Sequence, residues 1–154
     1  VLVSLMFMKK IGDISAESSV VKPLKDTRWP DEKSFPEALK DKVFIKRIDG
    51  PLFFGSSSNF EQLAKTIPDS AEAVIIRMSR VPYLDQSGLY ALEDVLIDLI
   101  KKGKQVHLVG LQKQPRYMLE SVDVIPDLIP FDKTCMNFSD CVSSLKASMI
   151  QVEE

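Results

Sequence analysis

The stretch Leu84-Asp85-Gln86-Ser87-Gly88 sets a carboxylate two residues ahead of a hydroxyl, with a glycine directly after it. An apolar-periodic segment follows. Asp85 or Ser87 can therefore cap a helix, its side-chain oxygen accepting one of the free N–H groups of the first turn. A helix start is also partly positive and favours anions, so a phosphate on the Ser87 hydroxyl is tolerated there. Asp85, Ser87 and Gly88 form a candidate regulatory loop. Ser57, Ser58, Arg80, Ser87, Lys113 and Arg116 form a candidate anion- or nucleotide-binding set, because all stand in loops expected at one end of the molecule. Taken alone, Asp-x-Ser-Gly reads more simply as a capped turn, and loop cations as solvated charges.

Catalysis finds no constellation. Ser87 has no Gly-x-Ser-x-Gly context and no histidine partner by motif, and neither a phosphate-binding P-loop nor a dinucleotide fingerprint is present. The single histidine, His107, lies in the strand-like run Gln105 to Val109 and reads as structural. Cys135 and Cys141 match neither a Cys-x-x-Cys motif nor a zinc-ligand spacing, and read as reduced thiols near a C-terminal helix. No metal and no cofactor is expected. A formal net charge of −2 argues against nucleic acid as a partner.

The elements that must position these residues follow from the patterning. Val43 to Ile48 is β-prone, Asp49-Gly50-Pro51 is a turn, and Leu52-Phe53-Phe54 completes a hairpin. A helix over 60–67 ends at Pro68. Ala73 to Met78 is almost wholly apolar, as in a strand buried on both faces. Leu89, Leu92, Val95, Leu96, Leu99 and Ile100 mark an amphipathic helix closed by Lys101-Lys102-Gly103. A buried strand at 105–109, a helix over 115–121, an edge strand at 128–130 and a last helix over 140–149 complete the order; Asn137 or Ser139 caps that last helix. Strands separated by helices imply an α/β fold with a mixed, mostly parallel sheet of four to five strands, an N-terminal hairpin and about four flanking helices. Ligands of such sheets bind beyond the carboxyl ends of the strands, where 55–59, 79–88 and 110–116 should meet.

This succession, with an Asp-x-Ser-Gly loop between a buried strand and the longest amphipathic helix, resembles the STAS domain family (sulfate transporter and anti-sigma factor antagonist) over 41–149. The resemblance implies that Ser87 matches the serine that is the kinase target in the antagonists, and Asp85 the family aspartate. Gln86 departs from the commoner Ser or Thr. Asp49-Gly50-Pro51-Leu52-Phe53-Phe54-Gly55 is similar to the Gly-x-Leu-Phe-Phe stretch of SulP-type anion permeases.

The start of the chain bears on the same choice. Val1 to Met8 is apolar or small and ends in Lys9-Lys10; it reads as the cytoplasmic end of a membrane helix, or as a buried terminal strand or tag remnant. The expected division is 1–10 as the end of a transmembrane helix, 11–40 as a linker broken by Pro23, Pro30 and Pro36, and 41–150 as the STAS domain. Trp29, the only tryptophan, is expected to pin the linker to the domain. The resemblance then implies a regulatory domain on the cytoplasmic face of the inner membrane, not an enzyme. Its partners would be the membrane part of the same, typically homodimeric, transporter, a regulatory protein, and an anion or nucleotide ligand. The alternative is a stand-alone anti-sigma factor antagonist switched by phosphorylation of Ser87.

Overall fold

Residues 28–52 and 65–150 are described by the computed structural model. Strands β1 (Val43–Asp49), β2 (Ala73–Arg80), β3 (Gln105–Val109) and β4 (Thr134–Cys135) form one sheet in that order, and every neighbouring pair is parallel. Helices α1 (Gln86–Lys101), α2 (Lys113–Ser121) and α3 (Phe138–Ile150) connect and follow the strands. Two 3-10 turns, Pro30–Ser34 and Glu37–Leu39, precede β1.

The alternation of side chains along each strand sorts the core into two layers. Val74, Ile76 and Met78 of β2, with Val106 and Leu108 of β3, meet Leu92, Leu96 and Leu99 of α1 and Leu119 of α2. Ala73 and Ile75 point the other way and meet Val109, Cys135, Phe138, Cys141 and Leu145, so α3 covers the second face. Residues 73–78 of β2 are all buried, which is why its apolar run shows no gaps. Register places Ile75 beside His107 and Arg47 beside Arg77 on the α3 face.

Two expectations shift. The edge strand lies not at 128–130 but at β4, where Thr134 and Cys135 pair with Leu108 and Val109. Pro126 and Pro130 have no N–H to offer a ladder, Val124–Leu128 is a kinked turn with Ile125 extended (φ −109°, ψ 120°), and the Ile129 N–H bonds the Val124 carbonyl at 2.9 Å. The last helix begins at Phe138, with Asn137 Oδ1 accepting the Asp140 N–H at 2.9 Å. Of the expected hairpin partner only Leu52 is described; it bridges Leu84 in parallel. Phe53 and Phe54 lie outside the described residues, as does most of the 60–67 helix, of which Lys65 and Thr66 are helical.

Candidate functional site

The loop before α1 is built from backbone outward. Asp85 is extended (φ −82°, ψ 176°) and caps the helix, its Oδ1 accepting the Gly88 N–H at 2.7 Å. Ser87 is half-buried in the first turn, and Gly88 is buried. A β-carbon on Gly88 would lie 2.5 Å from the Leu52 carbonyl oxygen, so only glycine lets the chain after β1 approach α1 this closely. That approach is bonded: the Leu52 N–H donates to Tyr83 O at 3.1 Å and the Asp85 N–H to Leu52 O at 3.2 Å.

Two glutamines fasten the third loop to this one. The Gln114 amide donates to Leu84 O at 3.0 Å and accepts the Leu84 N–H at 2.8 Å. Gln112 donates to Ser79 O at 2.9 Å. Gly110, at φ +74°, lets β3 turn into α2 beside Ser79, 2.7 Å from where a β-carbon would stand. The ends of β1, β2 and β3 therefore meet as the topology requires. The sequence reading missed Gln112 and Gln114, because a glutamine in a polar loop carries no motif.

The candidate cations are not gathered around Ser87 in the same way. Arg80 packs over the Trp29 ring at 4.1 Å and pairs with Asp49 at 3.4 Å. Arg116 pairs with Glu120 at 3.6 Å along α2, and Lys113 is exposed at its start. Ser57 and Ser58 lie outside the described residues. Exposed tyrosines stand on the elements that meet here: Tyr83 in the loop, Tyr90 on α1 and Tyr117 on α2. Tyr90 stands one turn beyond Ser87 on α1 and its hydroxyl accepts from Gln86 at 3.1 Å. Tyr117 stands one turn beyond Gln114 on α2. An exposed tyrosine trio at a loop of bonded backbone suits docking better than chemistry.

Trp29 is fastened to the domain by charge as well as stacking. Its ring lies under both Arg77 (4.5 Å) and Arg80, and Arg77 also covers the Phe138 ring at 4.5 Å. Glu32, buried, accepts from Arg47 Nε at 2.8 and 2.7 Å and from the Trp29 N–H at 2.7 Å, with Arg77 Nη1 at 3.4 Å. Asp31 takes Arg77 in a two-pronged pair at 2.6 and 2.5 Å, and those hydrogen bonds hold its carboxyl below the usual range. Residues 29–32 thus strap the carboxyl ends of β1 and β2.

The α3 face also gathers His107, Cys135 and Cys141, which the sequence reading kept apart for want of a motif. Their ligating atoms all lie within 4.8 Å of one another. Both thiols are free and buried. Burial pushes Cys141 up to about 12 and Cys135 upward as well; burial, aided by Lys133, lowers His107 to about 4. All three are neutral near pH 7.

Known proteins resemble this chain in sequence and in fold. The model of the STAS domain family matches residues 38–138. The bicarbonate transporter BicA of Synechocystis sp. is 26% identical over 141 residues, covering 90% of this chain and 23% of the transporter. The chain thus spans about a quarter of the length of that relative. A crystal structure of a sulfate transporter family protein from Wolinella succinogenes superposes with a TM-score of 0.66 at 24% identity, over 82% of this chain and 97% of that one. The anti-sigma factor antagonist SpoIIAA in its unphosphorylated form shares the fold (TM-score 0.58, 12% identity, 71% of this chain and 92% of that one).

Proposed function

Because the chain belongs to the STAS domain family, we propose that it is the cytoplasmic regulatory and interaction domain of a SulP-type inorganic-anion transporter on the inner membrane. In this reading it moves no ion and catalyses no reaction, and its principal partner is the membrane part of the same, homodimeric, transporter. One observation carries the proposal. A match to BicA over 90% of the chain necessarily extends ahead of residue 38, where the family domain begins. The likeness therefore includes the approach to the domain as well as the domain. No helix among the described residues is long and apolar enough to cross a membrane.

The strap supports the same reading. Residues 1–10 would be the end of the last membrane helix and 11–40 the linker, and that linker is tied to β1 and β2 through Trp29, Asp31 and Glu32. Arg80, the last residue of β2, stacks on Trp29 and opens the loop that leads through Tyr83 to Ser87. A pull on the linker is delivered to the start of that loop. Asp85, Ser87, Gly88 and the tyrosines would then be the face that a regulator reads.

The reading frame upstream of Val1 tests the proposal. It should encode roughly ten or more apolar spans of about 20 residues each; an initiator methionine directly before Val1 refutes it. The phosphorylation reading rests on Ser87 standing half-buried in the first turn of α1, at a positive helix end. It requires a serine kinase that adds one phosphate at Ser87, and a Ser87→Ala chain that is still labelled would reject it.

A further inference from the structure

We propose that His107, Cys135 and Cys141 form a binding site for a thiophilic d10 metal ion, zinc(II) or copper(I), between the sheet and α3. The three ligands come from three elements, β3, β4 and α3, whose backbones are already positioned. β3 and β4 pair through Leu108–Thr134 and Val109–Cys135, and α3 packs over both in the second core layer. The ligand atoms lie within 4.8 Å of one another. Bonds of about 2.3 Å to sulfur and about 2.0 Å to nitrogen need ligand separations of roughly 4 Å or less, so closing on an ion asks for shifts under about 1 Å.

A second observation points to a ligand. His107 is 2% exposed, yet neither ring nitrogen has a hydrogen-bond partner among the described residues. Buried polar groups are paired in the great majority of cases, and leaving a histidine unpaired in the core is costly. A polar ring beside two thiols, with no hydrogen-bond partner among the described residues, is explained if the ring is a ligand. Packing alone would be served as well by leucine or phenylalanine.

The chemistry of the donors selects the ion. Two sulfurs and one imidazole, without a carboxylate among them, suit soft or borderline cations and exclude magnesium and calcium. Binding breaks two S–H bonds and forms two metal–sulfur bonds, releasing two protons. The two thiolates neutralise zinc(II), and with copper(I) leave a single negative charge.

The test uses the whole 154-residue chain, metal-free, reduced and anaerobic. It is equilibrated with zinc(II) or copper(I) held by competing chelators, and X-ray absorption is recorded at the edge of the retained metal. The expected result is one equivalent bound, with two sulfurs and one nitrogen in the inner shell; whichever ion is retained against the stronger chelator is the preferred one. Cys135→Ser and Cys141→Ser should each weaken retention by roughly 100-fold or more. No retention of either ion, or a shell of oxygen and nitrogen alone, overturns the proposal. The absorption measurement needs no variant, so a core substitution that unfolds the chain does not shield the proposal from refutation.

Discussion

Removing the Glu32 carboxylate isolates the contribution of the N-terminal strap. In Glu32→Ala two neighbouring guanidinium groups lose their shared counterion, because Arg47 and Arg77 sit side by side in register. Their side chains are 11% and 5% exposed, against 1% for Glu32. Stripping one partner from a buried ion pair costs about 3–5 kcal/mol, most of it the penalty of the stranded charge. Asp31 remains as a counterion for Arg77 and is 52% exposed, so water and that carboxylate recover part of the loss. The expected cost is about 3 kcal/mol, a fall in Tm of roughly 10 °C for a domain of this size. Thermal unfolding followed by circular dichroism at two salt concentrations measures it. Asp31→Asn is the control: its carboxylate is half-exposed and screened, and Glu32 still faces Arg77, so it should cost under about 1 kcal/mol and shrink with salt. If Glu32→Ala falls within about 1 kcal/mol of wild type, or if Asp31→Asn matches it, the buried carboxylate does not hold the strap and the reasoning fails.

Gly88→Ala forces a β-carbon against the Leu52 carbonyl and should destabilise by about 1–3 kcal/mol in urea, by prising the chain after β1 from α1; an unchanged midpoint would mean that the approach is not tight. Gly110→Ala meets both a positive φ and Ser79, and is expected to cost at least as much on the same curve. For His107 the folded value lies below the unfolded one, so its contribution is complete above pH 6.5 and is lost as pH falls toward 4. The metal-free chain should lose about 3 kcal/mol across that window, and His107→Gln should flatten the profile there. Arg80→Ala removes the more exposed of the two cations stacked on the indole, so the Trp29 emission should shift while stability in urea falls by under about 1 kcal/mol.

What could be read from the sequence was what repeats along one element. The gapless run of β2 announced a doubly buried strand, and the Leu92, Leu96, Leu99 stripe announced the face α1 turns to the sheet. Asp85 was legible as a cap because capping is a contact three residues long. The edge strand was not, since β4 is two residues and its place depends on pairing with Leu108 and Val109 rather than on its own composition. Contacts across elements were hidden for the same reason. Gln114 reaches Leu84 over 30 positions and Arg77 reaches Asp31 over 46. His107, Cys135 and Cys141 are scattered along the chain, yet strand alternation turns the first two to the α3 face and the helix brings the third down upon them. A motif search asks whether ligands are close in sequence. In a parallel sheet, where each neighbour is a crossover away, closeness in space is set by register, and register is what the apolar pattern of the strands encodes. Aligning the buried runs of β2 and β3 by their first residues pairs Ile75 with His107 and sends that ring to the side Cys141 occupies. The side that His107 faces was therefore inferable from parity across strands, whereas Cys135 and Cys141 join it only through the pairing of β4 and the packing of α3.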